Sequence, residues 1–204
     1  MDYKDIVKKG YDQIAHQYLA ARHTDSPDVK LLGDFMELLA PQAAVLDAGC
    51  GAGLPVTRLL AERFNVTGVD ISETQVTLAK QNVPNAAFLC TDLTQLHFPA
   101  GTFDGICSYY AIIHIPREEH HALLSKFHHM LKSGGVALLC LGAENLVDDL
   151  DDNYFGTTMY WSHFDTETYD AMLKEIGFRL IWSKFIGDAS CEGAGHQFVL
   201  AQKR

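Results

Sequence analysis

Val45-Leu46-Asp47-Ala48-Gly49-Cys50-Gly51-Ala52-Gly53 is the stretch on which the reading of this chain turns. An apolar run ends in an acid, three glycines follow at alternate positions, and helix-compatible sequence continues over 54–64. Glycine takes positive φ and lets another group approach where a Cβ would collide. A strand that turns this tightly into a helix is expected to aim free backbone N–H groups at a ligand. A Gly-rich turn can equally exist without one, so the next element matters. Val66-Thr67-Gly68-Val69-Asp70 supplies a second apolar strand ending in an acid, with Asp70 21 positions after Gly49. A βαβ unit sets a carboxylate against ribose hydroxyls at about that distance, so the pair points to an adenosine-type cofactor site.

Outward from this unit, strand-like and helix-like segments alternate. Strands are expected at 44–47, 65–70, 87–91, 103–109 and 136–141, with helices at 56–64, 73–81 and 117–131. Nearly continuous apolar strands between helices imply a parallel sheet covered on both faces. Before it, 3–22 and 29–39 read as helices broken at Ser26-Pro27. After it, 165–176 reads as a helix capped by Asp165 or Thr166 and stopped by Gly177. Two strands follow at 179–186 and 197–201, separated by a Gly/Ser-rich segment over 188–195, which suits an antiparallel pair. The connection 142–163 is long, acidic at Asp148, Asp149, Asp151 and Asp152, and aromatic at Tyr154, Phe155, Tyr160 and Trp161. Loops of this length are usually functional, and the rings favour a lid.

Bulk properties narrow the class. At 204 residues, 48% hydrophobic and 21% charged, the chain suits one soluble domain with a full core and not a disordered segment. The net charge of −10 repels phosphate backbones, so nucleic acid is not expected as a partner. No apolar run reaches the roughly 18 residues that suggest a membrane span, and the N-terminus lacks a basic-then-apolar leader pattern. The five cysteines, Cys50, Cys90, Cys107, Cys140 and Cys191, are odd in number and form no CxxC pair, which reads as a reduced, cytoplasmic protein. His120, His121, His128 and His129 invite a metal reading, but two turns of helix separate the pairs by about 12 Å. A solvated helix face is expected there, and no metal.

Beyond the two acid-ended strands, Thr91-Asp92-Leu93 follows the third strand, Phe98-Pro99-x-x-x-Phe103-Asp104-x-Ile106 leads into the fourth, and Leu131-Lys132-x-Gly134-Gly135 precedes the fifth. Together with Asp47-x-Gly49-x-Gly51-x-Gly53 and Asp70, these phrases resemble the class I S-adenosylmethionine-dependent methyltransferases, in their small-molecule branch. The resemblance covers about 43–141 and implies an α/β, Rossmann-like, doubly wound fold. Its sheet would be seven-stranded and mostly parallel, with an antiparallel C-terminal strand pair and an N-terminal helical cap. One domain is implied over 1–204: a cap at 1–40, a cofactor core at 41–141, the lid at 142–163, and the last helix and strand pair at 164–204.

The resemblance also implies roles. S-adenosylmethionine would be held by Asp47, Gly49, Cys50, Gly51 and Gly53, with S-adenosylhomocysteine as product. Asp47 would order the loop and reach the cofactor's ammonium. Asp70 would accept the ribose hydroxyls, Ile71 would wall the adenine, and Thr91, Asp92 and Leu93 would bind its edge. Asp92 has an alternative as a helix cap. Tyr109, at the carboxyl end of the fourth strand, would line the methionine end. Tyr11 and Tyr18, spaced i, i+7 on one helix face, would cover the cofactor.

Methyl transfer needs alignment and exclusion of water more than a protein nucleophile. His114 is a candidate base, with a packing histidine as the alternative. Tyr110, Tyr160 and Trp161 are candidate substrate contacts, and such rings suit a sulfonium or an amine through cation–π attraction. Acid on the lid adds to that preference for an amine acceptor. A small-molecule methyltransferase is therefore expected. The alternatives are a non-catalytic cofactor sensor or partner-binding protein, a nicotinamide-dependent oxidoreductase, and a protein methyltransferase. Oligomeric state is not legible.

Overall fold

A computed structural model describes residues 2–187 and 194–204. Cys191 and most of the Gly/Ser-rich segment lie outside the described residues. The strands of the core are β1 (Ala44–Ala48), β2 (Asn65–Asp70), β3 (Ala87–Cys90), β4 (Phe103–Ser108) and β5 (Leu131–Gly142). They join β8 (Phe178–Gly187) and β9 (Gly195–Lys203) in a seven-stranded sheet of order β3-β2-β1-β4-β5-β9-β8. The first five are parallel, and β9 runs antiparallel to both β5 and β8. This is the doubly wound arrangement that the alternation of elements implies.

Period-two alternation sends neighbouring strand residues to opposite faces. Leu46, Ile106, Leu139 and Val199 pack against Leu123, Leu124 and Phe127 of α6 (His120–Met130) and Tyr169 and Leu173 of α7 (Thr166–Ile176). Val45, Cys107, Leu138 and Phe198 pack on the other face, against α3 (Leu32–Glu37) and α4 (Val56–Ala61). Each large apolar side chain so buried contributes roughly 1.5–3 kcal/mol. Gly177 ends α7 at φ 113, in the left-handed region that favours glycine.

Several elements differ from their reading in sequence. The expected helix at 29–39 is two pieces, α2 (Pro27–Lys30) and α3, because the bonding tightens at Leu31, whose N–H reaches the Asp28 carbonyl three residues back (3.1 Å) while its backbone stays near helical. The helix expected at 117–131 opens with a 3-10 turn at Arg117–Glu119 before α6. His120 is not on a solvated face: it is fully buried, donates from Nε2 to the Ile115 carbonyl (2.8 Å) and accepts at Nδ1 from the Tyr169 hydroxyl (2.7 Å). His121 and His129 are exposed, and His128 is half-buried.

The segment 142–163 is not an irregular loop. It forms a two-stranded antiparallel sheet of its own from β6 (Leu146–Tyr154) and β7 (Thr157–His163). Phe155 and Gly156 connect the strands, both at positive φ (51° and 85°), the signature of a type I′ hairpin turn. Met159 and Tyr160 on β7 pack against Val7 and Ile14 of the N-terminal helix α1 (Tyr3–Ala21), while β6 turns its acids to solvent. Among the described residues, no helix is long and apolar enough to cross a membrane.

Candidate active site

The glycine loop and Asp70 form a single unit. Gly49 and Cys50 donate their N–H groups to the Val69 carbonyl (2.8 and 2.9 Å), Gly53 donates to Cys50 (3.0 Å), and Gly51 donates to Asp70 Oδ2 (2.9 Å). The N–H groups of Gly49, Cys50, Gly51 and Gly53 are therefore taken by β2, Asp70 and the loop itself and are not aimed at a ligand, and α4 starts only at Val56. What the glycines supply is room. A Cβ on Gly49, at φ 86, would run into Ala111 Cβ on the turn that follows β4. That closeness brings the loop and the 109–115 turn to one cavity.

Asp70 Oδ1 accepts a second N–H, from Ser72 (2.9 Å). Burial raises its pKa, against the pull of these backbone N–H groups. Asp47 is differently employed. It is 1% exposed, and its oxygens accept from Thr57 Oγ1 (2.6 Å) and Cys107 Sγ (3.5 Å). Burial raises its pKa to about 6, with those two bonds opposing. Its carboxylate braces β1 against α4 and β4 while lining the second cavity.

Two adjoining cavities, of about 640 and 430 Å³, run along the carboxyl ends of the strands. The first is walled by Gly49, Gly51, Asp70, Ile71, Asp92, Leu93, Tyr109, Tyr110 and His114, and is roofed by Lys4, Tyr11 and Tyr18 of α1. The second adds Asp47, Cys50 and Arg22. Most of the site residues expected from sequence thus meet in one place. Asp92 lines the cavity and also caps the turn after β3, accepting from Thr94 N and Thr94 Oγ1 (both 2.8 Å).

Four expected residues are elsewhere. Gly53 packs against Ala79 of α5 (Glu73–Asn82) and its C-cap Val83, where its missing side chain makes space for that helix. Thr91 donates its N–H to the Asp70 carbonyl (2.9 Å) and lines neither cavity. Tyr160 is fully buried, stacks on Tyr3 at 4.2 Å and donates to Asp148 (2.6 Å), so its ring supports the hairpin and lines neither cavity. Trp161 is one layer out, 5.3 Å from the His114 ring.

His114 is packed and hydrogen-bonded, and it also lines the first cavity. It is 5% exposed, and Nδ1 lies 2.7 Å from the Tyr160 carbonyl. A carbonyl only accepts, so Nδ1 carries the proton and Nε2 is left to accept the Tyr11 hydroxyl at 2.9 Å. Burial lowers the His114 pKa to about 4, against the Tyr160 bond, so the ring is neutral at pH 7. Around this pair runs a closed circuit of rings, Tyr11–Tyr18–Phe155–Tyr154–Trp161–His114, with neighbouring centroids 4.9–6.3 Å apart. Edge-to-face pairs of this kind are favourable beyond the area they bury.

Sequence reasoning missed the polar ties of α1. Asp12 accepts from Ser72 Oγ (2.7 Å) and Thr74 N (3.0 Å), adding to the cap of α5. Lys4 bonds Glu119 and Thr94 (both 2.7 Å) and pairs with Asp92 (3.1 Å). Arg22, the C-cap of α1, pairs with buried Asp28 (2.8 Å) and lies 4.9 Å over the Tyr110 ring. Lys4 and Arg22 are the lysine and arginine that line the cavities, one in each.

The fold and this cavity define a class, and comparison with known proteins agrees. Residues 45–135 match the family model described as a methyltransferase domain. The chain belongs to the class I S-adenosylmethionine-dependent methyltransferases. It is 34% identical over 143 residues to a tRNA (carboxymethyluridine(34)-5-O)-methyltransferase of Xenopus tropicalis, which covers 69% of this chain and 21% of that protein. It is 31% identical over 175 residues to phosphoethanolamine N-methyltransferase 1 of Arabidopsis thaliana, covering 81% of this chain and 33% of that protein. The chain thus spans a fifth to a third of these relatives' length. In fold it is similar to a Burkholderia thailandensis 1,6-didemethyltoxoflavin-N1-methyltransferase solved with S-adenosylhomocysteine. There the TM-score is 0.75 and the identity 18%, over 99% of this chain and 89% of that one.

The residues present fit S-adenosylmethionine, the cofactor of this family. Asp70 keeps lone pairs for a diol, the glycines leave a Cβ-free floor, and the amide of buried Gln75 in the cavity wall has no protein partner.

Proposed function

We propose that this chain transfers a methyl group to a small-molecule amine held between α1, His114 and the β6–β7 hairpin. Bound S-adenosylmethionine supplies an electrophilic methyl carbon on a sulfonium. Asp70 accepts the ribose hydroxyls, while Ile71 and Leu93 flank the adenine. Asp92 and the Leu93 N–H take the adenine edge, and Arg22 takes the carboxylate of the methionine part. The observation that carries the reading is the Tyr11–His114 pair, set in the same cavity as Asp70 and the glycine floor.

With its proton given to His114 Nε2, the Tyr11 oxygen has lone pairs to accept an N–H from the acceptor. The acceptor nitrogen attacks with its own lone pair. As the new N–C bond forms the methyl–sulfur bond would break, and the proton of the product ammonium goes to solvent, because a His114 ring with a pKa of about 4 does not hold it. A ring with a pKa of about 4 is a poor base for a hydroxyl acceptor, and an amine does not need one before attack. The aromatic circuit suits the positive charge that the nitrogen acquires as it is methylated. The phosphoethanolamine relative is consistent with a nitrogen acceptor. The tRNA relative is the competing precedent, and a net charge of −10 opposes it.

The test is formation of S-adenosylhomocysteine across a library of amines, phenols, thiols and short RNAs. Turnover with amines supports the proposal. Tyr11→Phe and His114→Gln should then lower kcat about 10- to 1,000-fold with little change in Kd for S-adenosylhomocysteine. Binding without turnover on any class would favour the sensor reading, and turnover confined to RNA would replace the acceptor assignment.

A further inference from the structure

Gln75 stands in the first turns of α5, 1% exposed, and no protein group bonds either polar atom of its side chain. Its backbone N–H is already given to Ser72 Oγ (3.1 Å), so capping does not explain the amide. The residue lines both cavities, at the partition between them. Oε1 lies 3.8 Å from where a Cβ on Gly51 would stand, beside the Gly51 N–H that reaches Asp70 Oδ2. A buried donor or acceptor left unpaired costs more than a bonded one returns. Methionine or leucine would fill this helical position without that cost, so the stability of the fold alone gives no reason for glutamine.

We propose that Gln75 is a cofactor-binding residue whose carboxamide bonds a ribose hydroxyl that Asp70 also holds. The inference rests on the donor assignment made above. Asp70 as a carboxylate only accepts, so each hydroxyl that donates to it keeps oxygen lone pairs with no donor from that side. The Gln75 NH₂ supplies one, while its carbonyl can accept from the second hydroxyl. Carboxylate and amide together therefore match a vicinal diol, one taking protons and the other completing the set. Because the amide's partner is outside the protein, the residue trades stability of the empty fold for affinity.

The experiment compares the parent with Gln75→Met and Gln75→Leu in two measurements. One is the melting temperature without ligand. The other is calorimetric Kd for S-adenosylhomocysteine and for its 2′-deoxy and 3′-deoxy analogues. The expected result is an unchanged or raised melting temperature and S-adenosylhomocysteine binding about 3- to 15-fold weaker. The deficit should shrink against the analogue that lacks the bonded hydroxyl. Undiminished affinity in both variants overturns the proposal. So does a lowered melting temperature with equal losses for all three ligands, which would make Gln75 a packing residue. A parent that binds no S-adenosylhomocysteine removes the donor assignment itself, an outcome the parent alone reveals.

Discussion

At Gly49 two constraints coincide, a φ of 86° and a Cβ position blocked by Ala111. Gly49→Ala should cost about 2–4 kcal/mol in urea unfolding and abolish S-adenosylhomocysteine binding. Gly134→Ala is the control: its φ is 76° with nothing near the added methyl, so about 1–2 kcal/mol is expected. His114 carries a pH prediction. Its pKa is about 4 in the fold and 6.5 unfolded, so between those values the unfolded chain takes a proton that the fold refuses. Its contribution is fully present above pH 6.5 and drains away as pH falls toward 4. His120 acts in the same sense, while Asp47, raised to about 6, acts oppositely below that pH. Comparing the parent with His114→Gln cancels both. Between pH 6.5 and 4.5 the parent should lose about 2 kcal/mol more than the variant. Equal losses would place the titration elsewhere. Asp70 and the glycines were legible because local backbone geometry dictates them. Gln75, Arg22 and the support role of Tyr160 were not, because each depends on what another element brings alongside.

Among elements, α1 is held over the cavity by ties that differ in kind. Its apolar face packs on β7, and Asp12 completes the cap of α5. Asp12→Ala leaves Thr74 N and the Ser72 hydroxyl without that partner. Faster amide exchange across α1 and S-adenosylhomocysteine binding about 5- to 50-fold weaker are expected, with the sheet's protection unchanged. Exchange unaltered in α1 would show that the packing on β7 alone positions it. The strand–helix alternation of the core was readable from periodicity. The hairpin at 142–163 was not. Its turn is Phe155-Gly156, with an aromatic residue at positive φ where Asn or Asp would have announced it. Its acidic strand faces solvent along its whole length, so no alternation marks it.

On the scale of the whole molecule, the seven strands bring together residues from position 4 to position 115 around one cavity. A ligand that binds only that assembled state must stabilise the entire fold. At 100 times its Kd, S-adenosylhomocysteine should add about 2.7 kcal/mol, a rise in melting temperature of about 5–10 °C for a chain of this length. NADH at the same concentration should give no shift. The parallel, doubly wound sheet was legible because strands alternate with helices along the core.

The hairpin belongs to none of the seven strands. It is a sheet apart, entered after β5 and left before α7, and the main sheet lends it no ladder bond. It can therefore be rewritten as a cassette: its length, turn and outward rings can change while the register that seats the methyl donor stays fixed. A chain built this way separates what it gives from whom it gives it to. If the proposed function holds, exchanging 146–163 between two relatives should move acceptor preference while the Kd for S-adenosylhomocysteine is kept.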